Sequence, residues 1–270
     1  MLGAEAAHYF APAMEITAPG HQDLDITDPR AVSSFVAGQR FDYVLNCAAM
    51  SQVDRAQEDP GPAFAVNAGA VANLARAVAD SGGVLVQVST DYVFDGRAAS
   101  PYREDDLTGP LCVYGASKLK GEQAAAGIMP PQRLLVVRTQ WMFGRRRSNT
   151  IDFFRDRLAQ GRPVSAIADQ WGSPTWALHL VAAIDDLLKA KASGVFHVSS
   201  AGQCSWYEMC LHLACLMGAD PGLVTATPMD DLRRPAPRPR YCVLSKERFR
   251  NACGRDMPSW QEALSGYLRA

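Results

Sequence analysis

Short apolar runs punctuate the chain and predict buried strands. Tyr43-Val44-Leu45-Asn46-Cys47, Val84-Leu85-Val86-Gln87-Val88 and Leu134-Leu135-Val136-Val137-Arg138-Thr139 are rich in β-branched and aliphatic residues, as strands covered on both faces are. Helical patterns alternate with them. Residues 61–79 place Ala, Val and Leu on one face and stop at Gly82-Gly83. Residues 120–126 also read as helix. Upstream, residues 2–10 predict a short helix and 13–17 a strand. Residues 30–38 predict a helix, with Thr27 or Asp28 as cap before Pro29. Downstream, 150–160, 176–189 and 205–217 read as helices, 194–198 as a strand and 169–175 as an ordered loop. Residues 233–240 hold three prolines and four arginines and predict extended chain. The alternation is that of an α/β protein with a doubly wound parallel sheet. A basic loop, Gly144 to Ser148, follows the third apolar run, and a domain boundary is placed there, dividing residues 1–143 from a smaller lobe, 144–270.

Composition removes several classes of function. A chain of 270 residues with 48% hydrophobic and 20% charged residues can bury a sizeable core. A net charge of −1 gives no electrostatic case for nucleic acid. No apolar run approaches the roughly 18 residues of a membrane span, and the first residues lack the basic-then-apolar pattern of a secretory signal. Seven scattered cysteines without a CxxC pattern suit reduced thiols in the cytoplasm. Five histidines without HxxxH or HExxH spacing predict no catalytic metal.

The candidate chemistry lies in Ser89-Thr90-Asp91-Tyr92-Val93-Phe94 and Tyr114-Gly115-Ala116-Ser117-Lys118. Thr90 falls at the carboxyl end of the second strand, where open α/β sheets place ligands. Tyr114 and Lys118 are four apart and share one helix face. A carbonyl that gains a hydride becomes an alkoxide and needs a proton. A phenol can give it, although its ordinary pKa is about 10. A lysine ammonium one turn away is expected to lower that pKa. The Thr90 hydroxyl can hydrogen-bond the developing oxyanion.

These residues resemble the extended short-chain dehydrogenase/reductases, and among them the dTDP-4-dehydrorhamnose reductase family. The resemblance runs over nearly the whole chain. It implies reduction of the 4-keto group of a nucleotide-linked deoxysugar by NADPH, with NADH as the alternative cofactor. Thr90, Tyr114 and Lys118 are the catalytic set it implies. Gly3, Asp25, Ile26, Ala48, Ala49 and Ser51 are the implied cofactor contacts, joined by Tyr114 and Lys118. Thr90, Asp91 and Trp141, the last in Arg138-Thr139-Gln140-Trp141, are the implied substrate contacts. Residues 1–143 become the dinucleotide-binding domain, 144–270 mainly the substrate lobe, and a homodimer the candidate assembly. The strand predicted at 13–17 ends without a carboxylate at Thr17 to His21, which favours NADPH slightly.

Family members open with a buried strand and G-x-x-G-x-x-G. Met1-Leu2-Gly3 matches only the end of that motif, so the Rossmann-type sheet is expected without its first strand, and a longer active gene product is expected. The alternatives are a non-catalytic regulatory protein of the same fold, like the regulatory subunit of methionine adenosyltransferase, and a nucleotide-sugar epimerase or dehydratase. Against the dehydratase, Tyr92 stands where those enzymes carry the Glu of Thr-Asp-Glu.

Overall fold

The computed structural model describes residues 1–270 and centres on a parallel sheet of four strands, in the order β1 (Tyr43–Asn46), β2 (Val84–Thr90), β3 (Leu134–Thr139) and β4 (Gly194–His197). Its flanking helices are α1 (Leu2–Phe10), α2 (Pro29–Gln39), α3 (Ala70–Ser81), α4 (Val113–Ile128) and α5 (Ala177–Lys189). Successive strand residues point to opposite faces, and the two central strands use both. Val86, Leu135 and Val137 meet Leu2, Phe10, Leu180 and Ile184 from α1 and α5. Leu85, Leu134 and Val136 meet Val32, Val71, Val78 and Ala125 from α2, α3 and α4. Burying each such side chain contributes about 1.5–3 kcal/mol, which explains why these runs carry no polar alternation. The sheet is therefore doubly wound, as the sequence predicts.

Local signals set the helix ends. The Asp28 side chain accepts from the backbone N–H groups of Arg30 and Ala31, with Pro29 in the first turn of α2. Gly82 ends α3 at a φ of 87°, a conformation that glycine adopts without a Cβ clash.

Two expectations fail. Residues 13–17 form no strand: 11–20 are exposed and pair with no other strand, so no ladder holds them extended. Residues 61–79 are not one helix but Pro60–Phe64, a π-helical turn over Ala65–Gly69, and α3. The turn leaves Asn67 buried and facing the neighbouring helix. Strand β1 is less covered than its composition implies, because it pairs only with β2.

A further core lies beyond the sheet. Phe143, Trp176, Met209, Leu213, Trp260 and Tyr267 pack among helices Thr150–Ala159, Trp206–Met217 and Trp260–Arg269. The strand pair Val164–Ile167 with Val224–Thr227 closes it. Helix α5 and strand β4 return to the sheet, so the chain after Gly144 contributes to both cores.

Candidate active site

Strand β2 delivers Thr90 to the carboxyl edge of the sheet, in register with Thr139 of β3. Helix α4 crosses there with Tyr114 and Lys118 on its inner face. Its approach depends on Gly115, where a Cβ would lie 2.1 Å from the Tyr92 carbonyl oxygen, and on Gly121, where one would lie 2.1 Å from that of Asn67. Asn67, freed by the π turn, ties three pieces together. Its Oδ1 accepts from Met50 N at 2.9 Å, and its Nδ2 donates to Met50 O at 3.1 Å and to Ser117 Oγ at 3.0 Å. The loop after β1 is thereby fastened beside α4.

These elements enclose a cleft of about 700 Å³. Thr90, Asp91, Tyr114, Lys118 and Trp141 line it, together with Gly3, Ala49 and Ser51. Ala48 stands next to that lining, its N–H bonded to Asn46 Oδ1 at 3.1 Å. Asp25 and Ile26 lie outside it. The Asp25 carboxylate is exposed and accepts from Thr27 N and Oγ1, and the Ile26 carbonyl accepts from Asn73. The site thus unites the catalytic and substrate candidates with three further cofactor candidates, Gly3, Ala49 and Ser51, and leaves Asp25 and Ile26 apart.

The polar groups are specifically engaged. Lys118 Nζ donates to the Val88 carbonyl oxygen at 2.6 Å. Burial pushes the lysine down to about 8, against the pull of Glu122 and Cys47. Burial pushes the Tyr114 phenol up to about 12, with the Thr90 hydroxyl opposing and Asp91 assisting. The expectation that Lys118 lowers this phenol is not met, because the ammonium is turned to Val88 and desolvation dominates. Thr90 Oγ1 lies at hydrogen-bond distance, 2.9 Å, from Asp91 Oδ1 and accepts from Tyr92 N at 3.2 Å. Burial pushes Asp91 up to about 7, against the Thr90 hydroxyl and the backbone N–H groups of Asp91 and Tyr92. Ser89 Oγ, Asp91 Oδ2 and Thr139 Oγ1 are buried here without a partner.

Sequence reasoning missed the second wall. Trp206, from the C-terminal core, stacks on Trp141 with ring centroids 4.0 Å apart, and its Nε1 donates to Gln170 Oε1 at 3.2 Å. Trp141 holds a φ of 43°. Gly172 permits this, since a Cβ there would come within 2.6 Å of the Trp141 ring. Arg147, from the basic loop that marks the predicted boundary, and Asn149 also reach the cleft. No local pattern marks Trp206 or Asn67, because both are brought in from distant elements.

The family profile described as RmlD substrate binding domain matches residues 1–270. The dTDP-4-keto-6-deoxy-D-glucose reductase of Streptomyces niveus is 40% identical over 257 residues, which span 94% of this chain and 87% of that protein. The dTDP-4-dehydrorhamnose reductase of Streptomyces griseus is 39% identical over 255 residues, 93% of this chain and 84% of that one. A crystal structure of dTDP-4-dehydrorhamnose reductase from Bacillus anthracis, in complex with NADP, shares the fold with a TM-score of 0.95. It is 30% identical and covers 99% of this chain and 95% of that one. On these similarities, over nearly its full length, the chain belongs to the dTDP-4-dehydrorhamnose reductase family.

Proposed function

We propose that the protein reduces the 4-keto group of a nucleotide-linked deoxysugar, of the dTDP-4-dehydrorhamnose to dTDP-rhamnose type, with NADPH as reductant and NADH as the second choice. The observation that carries this reading is the meeting of Thr90, Tyr114 and Lys118 in one cleft of about 700 Å³. The residues present fit a nicotinamide cofactor. The start of α1 opens on the cleft and has no side-chain cap, leaving backbone N–H groups for an anion. Gly3 and Ala49 keep that wall low. The unpartnered Ser89 and Thr139 hydroxyls supply polar contacts.

When bound, the reduced cofactor supplies a hydride to the carbonyl carbon. The protein's own part is to hold the carbonyl and give a proton. Tyr114 remains a phenol at neutral pH because burial raises its pKa, so its proton is available when the far more basic alkoxide develops. Thr90 steadies the carbonyl oxygen by hydrogen bonding. Lys118, fixed on Val88 and mostly charged at neutral pH, anchors the cofactor's ribose and adds positive potential near the developing charge. Trp141 and Trp206 form an aromatic wall for the substrate. Ser51, Ala48 and Ala49 serve the cofactor, and residues 144–270 mainly the sugar nucleotide. The thiols, all unpaired, suit the reducing cytoplasm.

The test is direct. The protein is mixed with dTDP-4-dehydrorhamnose and NADPH, and absorbance loss is followed beside product analysis. One reduced sugar nucleotide per NADPH consumed is expected; no NADPH consumption at saturating substrate refutes the reading.

A further inference from the structure

Thr90 has one proton, and the structure constrains where it points. One lone pair of Oγ1 already accepts from the Tyr92 N–H at 3.2 Å. The Asp91 carboxyl group lies 2.9 Å away through Oδ1. If Asp91 is ionised it can only accept, so the Thr90 proton is consumed by that contact and none remains for a substrate oxygen. If Asp91 is protonated on Oδ1, the same contact runs the other way. The carboxyl O–H then donates to Thr90, and the Thr90 O–H is released toward the cleft and Tyr114. The surroundings favour the second state. Asp91 is 2% exposed, its Oδ2 has no hydrogen-bond partner, and no cation pairs with it.

We infer that Asp91 is a positioning residue that acts in its neutral form, donating to Thr90 and thereby turning the threonine hydroxyl onto the carbonyl oxygen of the substrate. This rests on the proposed ketoreduction and adds to it a residue that works through Thr90. No net proton leaves Asp91, since the hydrogen bond only fixes a direction. The groups around it are consistent with the assignment. Tyr114 on α4 and the Cys112 thiol before it are neutral phenol and thiol, both raised by burial. The Cys242 thiol, from the late extended segment, donates to the Asp91 carbonyl oxygen at 3.6 Å and is also raised. Tyr92 is raised as well, and the Arg238 guanidinium near it is engaged with Asp54 at 2.6 Å and 2.8 Å. Lys118 faces Val88. No group in this set stabilises a carboxylate by an ion pair.

Two measurements test the inference. The first does not need turnover: an infrared difference spectrum of wild type against Asp91→Asn. A protonated-carboxyl band that belongs to Asp91 is expected at about pH 6 and is expected to vanish by about pH 9. Absence of that band at the lower pH overturns the inference, whatever the activity. The second is the pH profile of kcat with dTDP-4-dehydrorhamnose and NADPH. Wild-type kcat should fall as pH rises through about 7 and then about 8, as Asp91 and Lys118 lose their protons in turn. Asp91→Asn, whose amide N–H donates at every pH, should retain only the later fall, whereas Asp91→Ala should lose kcat with little change in KM. An Asp91→Asn profile that keeps the earlier fall, or a variant whose effect is confined to KM, overturns the positioning role. Should wild type not turn over at all, the ketoreductase reading fails while the infrared result still decides the protonation of Asp91.

Discussion

The Arg138 guanidinium grips the Glu122 carboxylate, with Nε 3.0 Å from Oε1 and Nη2 2.7 Å from Oε2. Both side chains are almost wholly buried, at 5% and 7% exposure. The pair joins β3 to α4 one helical turn beyond Lys118, so it helps to hold the helix that carries the proton donor. Arg138 also donates to the Glu104 carbonyl oxygen at 3.4 Å and lies 5.2 Å from the centre of the Phe94 ring.

Removing one partner leaves a buried charge uncompensated. Glu122→Gln is expected to lower unfolding free energy by about 3–5 kcal/mol. Urea denaturation measures it, and a loss below about 1 kcal/mol, the range of an exposed pair, contradicts the clamp.

Gly115 sets how closely α4 approaches Tyr92. Gly115→Ala should push the start of the helix away, costing about 1–3 kcal/mol by overpacking and lowering kcat as Tyr114 moves with it. A variant with wild-type Tm and kcat would show that the contact is soft. Gly127, with open space around its Cβ position, provides the control: Gly127→Ala on the same helix should not destabilise.

The stack of Trp141 on Trp206 makes a substrate role for both separable from a packing role. Trp206→Ala should raise KM for the sugar nucleotide about tenfold while leaving kcat within a few fold, because losing one aromatic stack is worth about 0.5–1.5 kcal/mol beyond area. Unchanged KM with a large fall in Tm would make the pair purely a core contact.

His197 provides a pH test of stability. It is fully buried, and desolvation together with Arg138 pushes its pKa down to about 3. The unfolded chain takes up that proton near pH 6.5 and the folded chain does not. Its contribution is therefore present above about 6.5 and is lost as pH falls toward about 3. The unfolding free-energy gap between wild type and His197→Asn should narrow on acidification, by at most about 1.4 kcal/mol per pH unit. A gap that is constant or widens contradicts a neutral buried imidazole.

Much of this arrangement was legible in the sequence. The apolar runs of β2 and β3 could be read because both of their faces are buried. Thr90, Tyr114 and Lys118 could be read together because a strand end and a helical i,i+4 pair are local signals. Residues 13–17 were misread because strand propensity says nothing about whether a partner strand stands beside them. The interruption at Ala65–Gly69 was hidden because a π turn keeps helical composition. Asn67 and Trp206 were invisible for another reason: each matters only through contacts with residues far away in the chain, Ser117 and Trp141. Asp25, which matches a family position, is exposed and accepts from Thr27 in a local turn, which its own short side chain favours.

The central claim is that Tyr114 protonates the reduced carbonyl. It is tested most directly by kcat for Tyr114→Phe with dTDP-4-dehydrorhamnose and NADPH, the fold being checked by circular dichroism. The account predicts a loss of about 10²–10⁴ in kcat with the fold intact. Turnover near that of the wild type would contradict it.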